Sequence, residues 1–214
     1  MLDVRIKEQL KDKLLRYQTQ AVEIAAAFDP GAESAKLREL LDEIVSVSAR
    51  LNLVESTGDD MAAPSFSIGV PGEAPRIRFC GVPTGSEFTS VVLAILQVGG
   101  HRPKFDEALL AGIAALGGDY AFDTFVSLTC PYCQEVVQAL NGIAALNPGI
   151  RHRVVDIGLF PEEARALGIE VVPTILMNEE WFGEGRTTAT QIAARLAGIE
   201  ADMREALRAA GIAP

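Results

Sequence analysis

Cys130 and Cys133 stand in the run Thr129-Cys130-Pro131-Tyr132-Cys133, after an apolar stretch (122–128) and ahead of a helical pattern (134–145). Strand, C-x-x-C and helix in that order is the setting in which this motif does thiol-disulfide chemistry. Sulfurs at this spacing can close a small disulfide on a helix's first turn without unwinding it. Cys130 is the expected nucleophile and the more exposed member. Free amides and the dipole at the helix N-terminus favour its thiolate, the form that attacks a disulfide. Cys133, one turn in, resolves the mixed disulfide. Pro131 suits a helix start and removes one amide donor. Zinc ligation and an inert pair are the competing readings. Zinc needs two more ligands, and Cys80, His101 and His152 are not at finger spacing.

The surrounding composition narrows the class. The chain has 214 residues, 49% hydrophobic and 22% charged, enough for one large core or two small ones, and two compact units are expected. A net charge of -10 leaves no basic face for a phosphate backbone, so nucleic acid is not an expected partner. Three cysteines do not form a secreted disulfide framework, and no basic start followed by an apolar run opens the sequence. The cytoplasm is therefore the expected location. The longest apolar stretch, 91–98, is too short to span a bilayer, so no membrane role is expected.

The elements that position the cysteines follow from periodicity. Leu2, Ile6, Leu10 and Leu14 mark one stripe of an opening helix over 2–17. A strand (21–28) follows, then a turn at Asp29-Pro30-Gly31, then a helix (34–51) with Leu37, Leu40, Leu41, Ile44 and Val47 inward. Strands at 52–55, 65–70 and 76–80 come next, with a polar loop (56–63) between the first two and a helix (87–98) capped by Ser86 after the last. A connecting helix at 105–116 leads to the second half. There the pattern reads strand 120–128, helix 131–146, strand 152–156, short helix 162–167, strands 174–178 and 181–183, and helix 188–196.

The order βαββα thus occurs twice, and two landmarks repeat. Ala63-Pro64-Ser65-Phe66 answers Val172-Pro173-Thr174-Ile175, and Phe79-Cys80-Gly81 answers Trp181-Phe182-Gly183. Internal duplication is the simplest explanation. The boundaries read as a first unit at 1–103, a second at 104–198, and a charged helical tail at 199–214. Where the second unit has its cysteines, the first has Asp29-Pro30-Gly31-Ala32-Glu33, which does no thiol chemistry. The first unit is then either a support or a contributor of other groups to a shared cleft.

Several runs together carry a family likeness. Cys130 to Cys133, Val136-Val137-Gln138-Ala139-Leu140-Asn141, Leu146-Asn147-Pro148, Val172-Pro173 and Phe182-Gly183-Glu184-Gly185-Arg186 resemble the N-terminal region of the F component of alkyl hydroperoxide reductase. Pro64-Ser65-Phe66, Gly85-Ser86-Glu87-Phe88-Thr89-Ser90 and Gly99-Gly100-His101 are similar to that family's cysteine-free first unit. The resemblance covers about 1–198. It implies an α/β chain of two tandem thioredoxin-like folds, each a mixed central sheet flanked by helices, with one active C-x-x-C. It also implies a dithiol that takes electrons from a flavin-bearing module, or another reductant, and passes them to a peroxiredoxin disulfide. No G-x-G-x-x-G occurs, so FAD and NADH are not expected as cofactors of this chain.

The likeness bears on further residues. It implies a cis proline at Pro173 facing the cysteine pair, which leaves the Val172 backbone to pair with an extended substrate beside Thr129, Pro131 and Tyr132. Pro64 repeats that geometry without cysteines and reads as structural. Glu87 has a local reading, a carboxylate favoured near a helix start. The resemblance adds another, an acid or base for the cysteines in the shared cleft. Cys80 reads as a small buried hydrophobe. His101 and His152 read as structural or solvated, and Arg186 as a solvated loop residue. Two other functions compete: a general disulfide oxidoreductase of the glutaredoxin or protein-disulfide-oxidoreductase type, and a non-enzymatic docking module.

Overall fold

A computed structural model describes residues 2–56 and 62–209. Parts of the expected loop (57–61) and tail (210–214) lie outside the described residues. The chain runs α1 (Val4–Tyr17), β1 (Val22–Ala27), α2 (Ala32–Val45), β2 (Leu51–Glu55), β3 (Ser65–Gly69), β4 (Ile77–Cys80) and α3 (Ser86–Val98). After α4 (Glu107–Ala114) come β5 (Tyr120–Val126), α5 (Cys133–Leu146), β6 (Ile150–Asp156), α6 (Pro161–Ala166), β7 (Thr174–Met177), β8 (Glu180–Glu184) and α7 (Ala189–Ala209).

All eight strands join one mixed sheet in the order β2-β1-β3-β4-β6-β5-β7-β8. Each half contributes its second, first, third and fourth strands in that sequence. The first two run parallel and the others antiparallel. The halves meet where β4 pairs parallel with β6, Cys80 opposite Val155. The two sheets expected from the sequence are therefore continuous. Because β4, β6 and β5 run in the same direction, their C-terminal ends share one rim, which collects groups from both halves.

Period-two alternation sends neighbouring strand residues to opposite faces. Phe79, Val126, Val154 and Ile175 enter the main core with side chains from α1 to α5 and α7; Cys80, Phe125, Val155 and Leu176 enter a smaller one with Ala164 of α6. Burying each large apolar side chain stabilises the fold by about 1.5–3 kcal/mol before entropy is counted.

Several boundaries differ from those the sequence predicts. Helix α2 ends at Val45, because the Ser46 hydroxyl bonds back to the Glu43 carbonyl at 2.7 Å and Ser48 turns to Gln18 at 3.0 Å. Ser86 is the first helical residue of α3, and Gly85, at φ 58°, occupies the cap position. Helix α7 runs on into the expected tail as far as Ala209, and Glu200 accepts from the amides of Gly117 and Gly118 and from the Tyr120 hydroxyl at 2.9–3.0 Å. The repeat is also offset by two residues. Gly81 and Gly185, not Gly183, are counterparts, each at positive φ and each donating its amide to a cis-proline carbonyl, Pro64 and Pro173, at 2.9 and 2.8 Å.

Candidate active site

Strand β5 delivers the chain to the sheet rim, and residues 127–132 turn it into α5. The helix begins at Cys133, so Pro131 and Tyr132 belong to the turn rather than to the first helical turn; Pro131 blocks earlier helix hydrogen bonding by lacking an amide. Cys130 and Cys133 form a disulfide with their Cα atoms 5.6 Å apart. Cys130 is half-buried and Cys133 is 0% exposed, which fits attack from outside by the first sulfur and resolution from inside by the second. The Cys133 amide donates to the Cys130 sulfur at 3.2 Å, so a helix-start N–H already points at the atom that carries the thiolate charge.

Across the turn, the Val172–Pro173 peptide bond is cis, and the Val172 carbonyl oxygen lies 3.8 Å from Cys130 Sγ. Val172 is half-buried and Pro173 buried, whereas Thr129, Pro131 and Tyr132 are exposed around the sulfur, Tyr132 at 53%. The second cis bond, Ala63–Pro64, sits in the first half without cysteines beside it.

Glu87 enters from α3 and is 2% exposed, with no hydrogen-bond partner for either carboxylate oxygen. Burial pushes its carboxyl above the ordinary range. The Ser90 hydroxyl on the same helix offsets part of this without coming within hydrogen-bond geometry, and the nearby Asp156 charge adds to the rise. Glu87, Cys80, Val126, Leu128, Val154 and Asp156 line one small cavity at the rim where the halves meet. Asp156, at the end of β6, is raised as well, by burial first and by Glu33 in addition, against the Gly158 amide. Sequence reasoning missed Asp156. Its only signal was its place as the last residue of a strand.

A second group the sequence did not disclose joins β5, β6 and α5. The Thr124 hydroxyl is 2.8 Å from His152 Nε2, and His152 Nδ1 is 2.7 Å from Asn141 Oδ1, all three buried. Burial pushes the His152 pKa down to about 3, so the ring is neutral. A neutral ring with Nδ1–H donating to Asn141 and Nε2 accepting from Thr124 satisfies both contacts. His152 is thus structural and not solvated. His101 lies against the Tyr17 ring, tilted by 44° with centroids 4.7 Å apart. Arg186 pairs with Glu135 of α5 instead of standing free.

Cys80 is buried and its thiol is pushed up to about 11, by burial first, so it carries no thiolate at neutral pH. Among the described residues no cluster of three metal-ligating acidic, histidine or cysteine side chains occurs, and no helix is long and apolar enough to cross a membrane. Gly183 pairs with Ile175 in the β7–β8 ladder, and α7 opens at Ala189, three residues past Arg186.

Residues 122–198 match the thioredoxin domain family model. The F component of alkyl hydroperoxide reductase from Pseudomonas putida is 46% identical over 196 residues, covering 92% of this chain and 37% of that protein. Two solved structures align along the chain. The NTD_N/C domain of the corresponding reductase from Enterococcus faecalis gives a TM-score of 0.82 at 29% identity, covering 92% of this chain and 100% of that one. A mutant of the reductase's F component from the same organism gives 0.82 at 30% identity, covering 91% and 99%. The chain spans a little over a third of the length of the curated relatives it matches, at 37–39%.

Proposed function

The chain belongs to the family of alkyl hydroperoxide reductase F components, as its N-terminal tandem thioredoxin-like region, and from that membership we propose a dithiol-disulfide oxidoreductase that reduces a peroxiredoxin. The observation that carries this reading is the rim disulfide, with Cys130 half-buried, Cys133 at 0% exposure and a helix-start amide 3.2 Å from the Cys130 sulfur. Reduced Cys130 attacks the partner's disulfide, and Cys133 then attacks the mixed disulfide and releases the partner's dithiol. Thr129, Pro131, Tyr132, Val172 and Pro173 form the substrate-binding surface: Val172 offers backbone groups to an extended segment, and the exposed Tyr132 ring offers apolar contact. Glu87 is the acid and base of the exchange, because its buried carboxyl stays protonated above the usual carboxylate range.

In this reading residues 1–103 are the cysteine-free unit, 104–198 the redox unit and 199–214 the helical tail. Electrons arrive from a flavin-bearing module or another reductant, since this chain's own redox group is the disulfide, and the protein works in the cytoplasm. The Pro131-Tyr132 filling favours one other reading, a general disulfide oxidoreductase. Mixing the pre-reduced chain with an oxidised peroxiredoxin and, separately, with a glutathione mixed disulfide decides between them. Faster transfer to the peroxiredoxin is expected, and faster transfer to the glutathione adduct would replace the proposal with the second reading. Cellular function retained by a Cys130→Ser variant would instead favour a docking module.

A further inference from the structure

We propose that Asp156 is the positioning residue through which buried Glu87 exchanges its proton with solvent, so that the two carboxyl groups serve the cysteine pair as one coupled acid. This rests on the reading of Glu87 as the acid and base of the exchange. Glu87 is 2% exposed and its carboxylate oxygens meet no donor, so its proton is held away from the surface. Val82, Leu128 and Asp156 line the cavity beside Glu87, and these same three residues also line a wider cleft with Glu33, Lys36, Thr84 and Ser127. Lys36, Thr84 and Leu128 of that cleft are exposed. Asp156 is the one titratable residue common to both spaces.

The fold holds Asp156 in that position. The Gly158 amide donates to its Oδ1 at 2.9 Å, which fixes the carboxyl and leaves Oδ2 free of that bond. Its Cβ occupies the place where a side chain on Gly81 would stand, 2.9 Å from an ideal Cβ there; Gly81, at φ +135°, admits it from the neighbouring strand. The charged and titratable neighbours are few. Glu33 and Lys36 face Asp156 from α2, and the un-ionised Cys80 thiol shares the cavity from β4. Arg153 of β6 is paired with Asp123 and Glu163. Ionised Asp156 favours the protonated form of Glu87, and Glu33 does the same for Asp156. Charges placed in this way favour the protonated form of the innermost carboxyl.

The proton balance of the exchange fits such a group. Cys130 thiolate bonds one sulfur of the substrate disulfide and the S–S bond breaks; the departing sulfur takes the Glu87 proton. Cys133 then gives its proton to the Glu87 carboxylate and attacks Cys130 Sγ, forming the internal disulfide and releasing the second substrate sulfur as a thiolate. The substrate gains two electrons, the pair loses two, and Glu87 returns to its starting state. A Glu87 ionised before the encounter must first be reloaded from solvent, and Asp156 supplies that path.

The test is a carboxyl carbon NMR titration of Glu87 in the full chain, beside the pH-rate profile with a small aromatic disulfide. Asp156→Asn keeps an oxygen for the Gly158 amide and removes the charge. The Glu87 midpoint should fall by about half a pH unit or more. The loss of rate on the alkaline side should move to lower pH with it. An unmoved Glu87 midpoint, or a rate change equal at all pH values, overturns the proposal. Should the variant not fold, the wild-type curves decide: coupled groups give a Glu87 titration with two inflections, and two independent single-step curves overturn the proposal. Glu87→Gln separates the underlying reading. If the alkaline limb survives in that variant, Glu87 is not the acid, whereas the Asp156 coupling is still judged by the wild-type titration.

Discussion

The two halves place the same strand-to-helix turn at corresponding points and use its amides in opposite ways. In the first half, Asp29 Oδ1 accepts from the Gly31 amide at 2.8 Å and from the Ser34 hydroxyl at 2.6 Å, while the Asp29 amide donates to Ser34 at 2.9 Å. The Ser34 bond, with the Gly31 amide behind it, holds the Asp29 carboxyl below its usual range. The turn is closed on itself, its Asp29 and Gly31 amides spent on internal bonds. In the second half the Cys133 amide points at the Cys130 sulfur instead, a group that a substrate can reach. Identical topology therefore decides little about chemistry, and the occupant of the helix start decides most of it.

The most severe way to break this comparison is to remove the nucleophile. Cys130→Ser should lower disulfide reduction by ~10³-fold or more. Asp29→Ala, at the matching turn, should leave the reduction rate within about twofold, with a small drop in Tm as the self-closed turn is lost. Stopped-flow reduction of a disulfide substrate by both variants checks this. A large rate loss in Asp29→Ala would mean that the first half takes part through its turn after all.

The next contrast lies under the turns. Strand register makes Leu53 and Ala26 the counterparts of His152 and Thr124, so the first half has an apolar layer where the second has a hydrogen-bonded one. His152→Leu should strand the Thr124 hydroxyl and the Asn141 carbonyl without partners and destabilise the chain by ~2–5 kcal/mol. Replacing Thr124 with Ala and Asn141 with Leu in the same chain should recover much of that loss, since no buried polar group is then left unpaired. The wild-type ring adds a pH signature. Its folded pKa is about 3 against 6.5 for the free group, so its contribution is complete above about 6.5 and is lost as pH falls from there toward 3. Denaturant titrations at pH 7.5 and 5 should therefore diverge in wild type and converge in the triple variant; equal pH dependence in both would remove His152 from the account.

A smaller effect separates the two halves' thiols. Cys80 belongs to the first half's β4, is buried, and is held un-ionised by a pKa of about 11, whereas Cys130 is half-buried at a helix start. A limiting alkylating reagent should label Cys130 first in the reduced protein and reach Cys80 only on unfolding. Cys80→Ala should cost about 1 kcal/mol for the cavity and leave the labelling of Cys130 unchanged. Early labelling at Cys80 or Cys133 would overturn the assignment of the nucleophile.

The cysteine pair and the repeated strand order were legible because each rests on residues close in sequence with few alternatives, such as a C-x-x-C after a strand, whereas the cis geometry at Pro173 and Pro64 was implied by the family resemblance. What was not legible arises from contacts between distant segments. The β4–β6 junction is a parallel pairing that needs no turn signal, so nothing in 76–80 or 150–156 announces it. Asp156 is ordinary as a strand-end residue and becomes notable only beside Gly81 and Glu87. His152 between two arginines reads as a surface strand, yet alternation turns the ring inward and the arginines outward. Helix α2 stops short of the expected 34–51 span for a local reason: Val47 and Leu51 continue the apolar period, but the Ser46 and Ser48 hydroxyls compete for the backbone and end the helix.

The smallest predicted effect is also the one that joins the halves. Glu87 belongs to the first half and acts, in the proposed function, on the cysteines of the second. Its carboxyl is raised chiefly by burial, so the folded state holds its proton at pH values where the unfolded chain has released it. Stability from this group is therefore fully present below the ordinary carboxylate pKa and is lost as pH rises through the raised folded value, the reverse of the His152 trend. Glu87→Gln carries no ionisable group and keeps nearly the same shape, so it loses this dependence. The Tm difference between Glu87→Gln and wild type should shift in the variant's favour by a few degrees as pH rises from 4 to 8. A role limited to helix-start electrostatics predicts the opposite slope, because an ionised glutamate near the N-terminus of α3 stabilises the helix more at high pH than a glutamine does. The sign of one slope therefore distinguishes a proton-holding group in the shared cleft from a helix-start carboxylate confined to its own half.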